Sequence, residues 1–179
     1  MTDGPGRDRR IIMAGYAGIA GTKHLIEQEG PSLAERFPAS WLEDAVRAAD
    51  IFSSVNAEKI AHETACAFVV RSGADGVLAS LWELSTLTGA GIDIDLRAIP
   101  IRQETIEICE YLALDPYHLD STGVLLAVCD RPWMLQTALS EEGIPCNVVG
   151  KLTDDHDKLI RSAGRVSCLN RPRSAGKGI

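Results

Sequence analysis

Ile11-Ile-Met-Ala-Gly15-Tyr-Ala-Gly18-Ile-Ala-Gly21-Thr22 is a short apolar run that breaks into three glycines. Such a run, followed by helical spacing from Lys23 to Glu29, predicts strand, glycine-rich turn and helix, with Gly30 and Pro31 closing the helix. The pattern returns downstream. Ala67 to Val70 is a β-branched and apolar run, Arg71-Ser-Gly73-Ala-Asp75-Gly76 is a turn, and Val77, Leu78, Leu81, Trp82 and Leu84 continue as an amphipathic helix until Gly89.

Outward from these units, Ser40 to Asp50 predicts a helix opened by a Ser40/Glu43 capping box, with Trp41, Ala45, Val46 and Ala49 on one face. Asn56 to Thr64 predicts another. Gly91-Ile-Asp93-Ile-Asp95-Leu96 alternates with period two, as a strand with one wet face does. Pro100 introduces a helix whose apolar positions are Ile101, Thr105, Ile108, Cys109 and Leu112, and Leu114 to Asp120 is a loop or helical turn. Gly123 to Cys129 is continuously apolar, which predicts an interior strand covered on both faces. Asp130 is the expected cap of the next helix, Pro132 its first turn and Gly143 its end. Cys146 to Leu152 follows as a strand, and Lys158–Arg161 with Arg165–Leu169 predict a hairpin around Ala163-Gly164. Residues 1–9 are expected as a flexible arm, 10–170 as one α+β domain with a mixed, largely antiparallel sheet flanked by helices, and 171–179 as a flexible tail.

The 179 residues carry a formal net charge of −7 and are 45% hydrophobic and 24% charged, the balance of a globular protein with a real core. An acidic chain lacks the basic footprint that neutralises phosphates, so neither nucleic acid nor an anionic membrane surface is an expected partner. No stretch approaches the ~18 apolar residues of a membrane span. Ile11 to Ala20 follows Arg7, Arg9 and Arg10, but its Gly15, Tyr16 and Gly18 make it too weakly apolar for a signal peptide. The five cysteines, Cys66, Cys109, Cys129, Cys146 and Cys168, have no metal-like or redox-motif spacing, which suits buried small hydrophobes in a reducing cytoplasm.

Glycine turns before helices matter chemically because the first helical N–H groups lack internal partners and carry partial positive charge, which suits phosphate. Gly15-x-x-Gly18-x-x-Gly21 is not the dinucleotide fingerprint, and no Gly-Lys-Ser/Thr of a Walker loop is present. On spacing alone, a tight turn for close backbone packing is the competing reading.

In order along the chain, IIMAGYAGIAGT from Ile11, VVRSGADGVLASLWEL from Val69, GAGIDID from Gly89 and IPIRQET from Ile99 resemble the C-terminal domain of the AIR synthase-related proteins. Leu114-Asp-Pro-Tyr, Gly123-Val-Leu-Leu-Ala-Val and Val148-Val-Gly-Lys-Leu extend the resemblance from about Ile11 to Leu169. The family includes aminoimidazole ribonucleotide synthetase, selenophosphate synthetase, thiamine-monophosphate kinase and the hydrogenase-maturation carbamoyl dehydratase, whose motifs are the most similar. The resemblance implies ATP-dependent activation of an oxygen or phosphoryl transfer. An N-terminal domain builds the family dimer and holds metal and nucleotide, while the C-terminal domain closes over the phosphates. It makes Gly15, Gly18, Gly21, Thr22, Ser72, Gly73, Asp75, Gly76 and Glu83 the candidate nucleotide-contacting residues.

Several positions depart from the family pattern. Where relatives carry Asp-x-Thr-x-Gly-Gly, this chain has Arg71 at the acidic position and Asp75 at the first paired glycine. A carboxylate at a helix start can cap the helix, and it repels an incoming phosphate. Ile19 and Ala20 stand where the hydrogenase-maturation members carry Asp-His, and the chain ends at Ile179 without their terminal cysteine. Carbamoyl dehydration is therefore not expected of it. Asp93 and Asp95 share the wet strand face, where a pair of carboxylates either binds a cation or keeps the face soluble. His24, His62, His118 and His156 have no metal-like spacing, and Asp154-Asp-His-Asp157 lacks the glycine and glutamate of a calcium loop, so no metal ligand is expected. Trp41, Trp82 and Trp133 belong by default to the core, but the helices of Trp41 and Trp133 are candidates for an association patch.

The function these residues point to is a C-terminal AIR synthase-related domain acting as a binding or assembly component, without the N-terminal ATP and metal domain and with no cofactor of its own. Its expected partners are further copies of itself or a separately encoded N-terminal AIR synthase-like domain. With the latter, ATP and Mg would enter, and the pair would act as an ATP-dependent synthase, dehydratase or kinase.

Overall fold

The computed structural model describes residues 9–51 and 54–172. Of the expected arm, all but Arg9 lies outside the described residues, as does the tail beyond Pro172. Arg9 belongs to the fold: its Nε donates to Asp130 Oδ1 at 2.8 Å and its carbonyl accepts from the Leu152 N–H at 3.0 Å.

In chain order the elements are β1 (Arg10–Ala14), α1 (Ile19–Arg36), α2 (Ala39–Ile51), α3 (Ser54–Glu63), β2 (Phe68–Arg71), α4 (Gly76–Thr88) and β3 (Gly91–Asp95). They continue with α5 (Gln103–Leu112), β4 (Leu125–Cys129), α6 (Pro132–Glu141), β5 (Cys146–Thr153), β6 (Lys158–Ser162) and β7 (Arg165–Cys168). Single 3-10 turns lie at Leu96–Ala98 and Pro116–His118.

The described strands form one seven-stranded sheet in the order β2-β4-β1-β5-β3-β6-β7, antiparallel throughout except for β3 against β6. This is the α+β, largely antiparallel architecture expected. Strand alternation sorts the core into two layers. Ile11 and Met13 of β1 with Leu126 and Val128 of β4 face Val77, Leu81 and Leu84 of α4. Ile12, Leu125 and Ala127 face Ala57 and Ala61 of α3 and Leu135 and Leu139 of α6. All five residues of β4 are buried, as its unbroken apolar run requires. A third cluster joins Leu33, Phe37, Leu42 and Ile108 from α1, α2 and α5.

Several local expectations are corrected. Helix α1 starts at Ile19 and runs to Arg36, through Gly30 and Pro31, with a kink at Glu29 (φ −105°, ψ 17°). Pro31 lacks the N–H that would bond back across that turn, so the helix bends there and resumes. Leu33, fully buried in the third cluster, anchors the far half. Helix α2 begins at Ala39, which places Ser40 inside the helix instead of at its cap. Helix α5 begins at Gln103 with Arg102 as its N-cap, three residues after Pro100. Arg131, not Asp130, holds the N-cap position of α6, because Asp130 is engaged with Arg9. The Ala163-Gly164 hairpin forms as expected, both residues having positive φ (46° and 79°).

Cys66 and Cys129 are joined in a disulfide, which their spacing does not reveal. Antiparallel pairing of β2 with β4 puts Phe68 opposite Val128, so the residues just beyond that pair meet. Of the remaining thiols Cys109 is buried, Cys146 half-buried and Cys168 exposed. Burial pushes the Cys109 thiol up to about 11, which keeps it protonated and inert. No described helix is long and apolar enough to cross a membrane.

Candidate functional site

Both glycine turns close on the same segment, the loop from Asp115 to Ser121. In the first turn Gly18 adopts the left-handed conformation (φ 71°) at the start of α1. A Cβ on Gly18 would meet Pro116 O at 3.0 Å and Leu119 Cβ at 3.2 Å; one on Gly21 would meet Asp120 N at 2.9 Å. Glycine is therefore the condition for α1 to lie directly against the loop.

Most backbone donors of this turn are engaged within the chain. Gly15 donates to Pro145 O (2.8 Å), Ala17 to Pro100 O (2.9 Å) and Gly21 to Asp120 O (2.9 Å). Gly18 donates to the Ser121 hydroxyl at 2.9 Å. Thr22 turns its hydroxyl onto Gly18 O at 2.8 Å and meets the Thr105 hydroxyl at 2.7 Å, both buried. Groups that in an anion-binding turn would point at phosphate hold the turn to its neighbours here.

The second turn meets the loop from the other side. A Cβ on Gly76 (φ 82°) would stand 2.5 Å from Tyr117 O and 2.8 Å from the His118 backbone. Ser121 donates its N–H to Gly73 O at 3.0 Å while its hydroxyl serves Gly18, so this fully buried serine ties the two turns together. Ser72 is buried, its N–H on Val124 O (2.8 Å) and its hydroxyl 2.7 Å from that of Ser80. The Tyr117 hydroxyl donates to Leu96 O at 3.2 Å, and burial, aided by Asp115 and Asp95, raises its proton affinity. Reading from glycine spacing misses Ser121 and Thr105. Their only signals are the turn-forming run Asp120-Ser-Thr-Gly123 for the one and the apolar face of α5 for the other.

A cleft of about 620 Å³ opens beside the second turn, between the start of α4, His118, Ile160 and residues 167–172. Asp75 alone of the nine candidate residues lines it. It holds the N-cap position of α4 but makes no side-chain cap hydrogen bond, so the expected capping by Asp75 is not formed. Its exposed carboxylate instead stands free at the positive end of the helix, where it is itself stabilised and opposes a second anion. Arg71 is drawn away by α3: its Nε donates to Glu58 Oε2 at 2.8 Å and its Nη2 pairs with the same oxygen. Glu83 is exposed, with Leu81 and Leu84 buried on the inner side of α4. The structure thus gathers Gly18, Gly21, Gly73 and Gly76 around one loop tied down by the buried Ser121, keeps Thr22 and Ser72 buried in contacts of their own, and leaves Gly15 and Glu83 apart.

The fold that carries these turns is shared with solved proteins. The chain belongs to the AIR synthase related protein family, matching the C-terminal domain over residues 19–161. It is 30% identical over 86 residues to the carbamoyl dehydratase HypE of Azotobacter vinelandii, a match covering 46% of this chain and 25% of that protein. Its fold is that of HypE from E. coli, with a TM-score of 0.73 at 18% identity, covering 94% of this chain and 51% of the other. A HypE structure in complex with ATP superposes with a TM-score of 0.70 at 19% identity, covering 94% of this chain and 52% of that one. The chain therefore spans about half the length of the solved proteins it matches.

Proposed function

We propose that this domain is a binding or assembly component that holds no ATP unaided, associating with its own copies or with a separate N-terminal AIR synthase-like domain. The observation that carries this reading is the use of the first turn's donors: Gly15, Ala17, Gly18 and Gly21 all bond within the chain. Asp75 at the start of α4 adds a fixed negative charge at the second turn. With those donors taken and that carboxylate in place, the residues present do not fit a triphosphate in the isolated domain. Trp133, 64% exposed on α6, is an apolar surface available to a partner. Trp41, by contrast, stacks on Phe37 with ring centroids 4.7 Å apart, and Trp82 lies under Lys158 Nζ at 4.6 Å.

Calorimetry of the purified chain with Mg-ATP tests the reading. The expected result is no binding heat at micromolar protein. Micromolar affinity accompanied by turnover rejects it.

A second reading, a trans-assembled ATP-dependent synthase, dehydratase or kinase, is favoured by the cleft at the start of α4 and by the shared fold of the ATP-bound HypE. Glycines 15, 18, 21, 73 and 76 with Thr22 would then reach phosphate after the partner displaces the present contacts. ATP hydrolysis by this chain mixed with an N-terminal AIR synthase-like domain is its expected sign, and a mixture that forms a complex but hydrolyses nothing rejects it.

A further inference from the structure

Strand β7 forms one edge of the sheet, and no described residue pairs with its outer side. All of its residues are exposed, Val166 by 52%, whereas β2 at the opposite edge is mostly buried or half-buried and has Arg71 tied to Glu58.

The hairpin decides which backbone groups that edge offers. The two-residue turn Ala163-Gly164 makes its flanking residues, Ser162 and Arg165, a hydrogen-bonded pair. Antiparallel pairs then alternate: Arg161 with Val166 is not hydrogen-bonded, Ile160 with Ser167 is, and the Leu169 N–H on Lys158 O at 2.7 Å keeps the phase. The N–H and C=O groups of Val166 and Cys168 therefore point away from β6, into an open edge. Side chains sort by the same alternation. Ser167 stands opposite Ile160 on the α4 side, where Ile160 and Leu169 join the core. Val166 and Cys168 lie on the other face, opposite Arg161 and Leu159. Asp93 accepts from Arg161 Nε at 2.6 Å and Nη2 at 3.0 Å, and Asp95 accepts the Arg97 N–H at 3.0 Å, so both carboxylates of β3 are engaged by arginines.

We infer that β7 pairs antiparallel with β7 of a second copy of this chain, joining two sheets edge to edge across a two-fold axis at Ser167. The pairing is one form of the self-association proposed above and rests on that reading. Its register follows from the open groups: Val166 of one copy and Cys168 of the other both present outward N–H and C=O, and centring on Ser167 gives every one of them a partner. Charge selects the antiparallel sense. It sets Arg165 opposite Leu169 of the second copy, whereas in-register parallel pairing would stack arginine beside arginine, and like charges side by side are destabilising. The same register lays the exposed Val166 against Cys168 of the second copy, covering apolar surface that the single chain leaves in water. An edge this short makes a reversible dimer, of micromolar affinity or weaker.

Sedimentation velocity of the full chain from low micromolar to submillimolar concentration tests the pairing, and a reversible monomer–dimer equilibrium is expected. Val166→Pro removes an N–H that the fold itself does not use, and proline is tolerated on an edge strand where its nitrogen faces outward. It should weaken the dimer about tenfold or more while circular dichroism shows the fold intact. Ser167→Cys in a Cys168→Ser background should form a disulfide between copies under mild oxidation, because facing Cα atoms in a non-hydrogen-bonded pair lie about 4.5 Å apart. Arg165→Cys in the same background, facing Leu169 of the second copy, should not. This comparison does not depend on the proline variant folding. A chain that stays monomeric at the highest concentration overturns the pairing, as does a dimer that Val166→Pro leaves unchanged, or cross-linking equal at 165 and 167. A dimer indifferent to these changes would keep self-association and move it to another surface. A monomeric chain would leave the separate N-terminal domain as partner, and ATP calorimetry judges the rest of the proposed function independently.

Discussion

Gly73 and Gly76 lie three residues apart in one turn and face opposite demands. A Cβ at Gly73 meets nothing within 4 Å, whereas at Gly76 it meets the backbone of Tyr117 and His118 under a φ of 82°. Gly73→Ala should therefore change stability by no more than about 0.5 kcal/mol. Gly76→Ala should cost about 3 kcal/mol or more, since neither backbone can yield. Urea denaturation of the two variants makes the comparison, and equal stabilities would show that close packing is not what selects glycine at position 76. Ser121→Ala removes the acceptor of the buried Gly18 N–H and should cost about 1–3 kcal/mol by the same measurement. A phosphate-binding reading of these glycines and this packing reading predict the same residues in the sequence. They separate when the partner of each N–H is known.

At the scale of elements, β2 is the sheet edge held at one end by the Cys66–Cys129 disulfide and at the other by Arg71 on Glu58. The disulfide closes 63 residues of chain, and restricting the unfolded ensemble by that much is worth about 2–4 kcal/mol. Reductant should lower the thermal midpoint of the parent and leave that of a Cys66→Ala/Cys129→Ala variant unchanged. Alkylation of the denatured, unreduced chain should modify Cys109, Cys146 and Cys168 but neither Cys66 nor Cys129.

The start of α5 depends on a different device. Arg102 donates to Glu104 through Nε (3.1 Å) and Nη2 (2.5 Å), and its guanidinium lies 5.6 Å from the centre of the Tyr16 ring. Burial raises the proton affinity of Glu104, but the Arg102 hydrogen bonds and charge outweigh it, so the carboxyl is held below its ordinary range. A carboxyl lowered by folding stabilises the protein above its unfolded pKa of about 4.3, and that contribution disappears as pH falls through the folded value. Glu104→Gln should flatten the acid side of the stability curve below pH 5 and cost about 1–2 kcal/mol at pH 7. An unchanged acid limb in the variant would remove Glu104 from that role.

For the molecule as a whole, two helices, α1 and α4, rest their N-termini on one loop whose own length is seven residues from Asp115 to Ser121. A partner that takes ATP with this domain must first loosen that arrangement, so proton exchange at the Gly18 and Gly21 amides should be slow in the free chain and accelerate in an ATP-competent complex. Exchange that is fast in the free chain would mean that these donors are already available. The disposition of apolar residues fits the same picture: Val77, Leu81 and Leu84 of α4 are covered by the sheet, while Leu87 on its outer face and Trp133 on α6 stay open to solvent.

The order of residues was enough to predict the strand–turn–helix units, the buried interior strand from Leu125 to Cys129, the hairpin at Ala163-Gly164 and the family, because each is written in local periodicity or in the sequence of motifs. Helix limits were less legible: burial of Leu33 carries α1 past Gly30 and Pro31, and a salt bridge from Arg9 takes Asp130 from the cap of α6. Tertiary structure decided the matters of pairing. The meeting of Cys66 with Cys129, the engagement of Asp93 with Arg161 and the occupation of the first turn's N–H groups by Ser121, Asp120, Pro100 and Pro145 all join residues distant in the chain. Hydrogen bonds and ion pairs act over about 3 Å, and nothing in residue order encodes which groups folding brings that close.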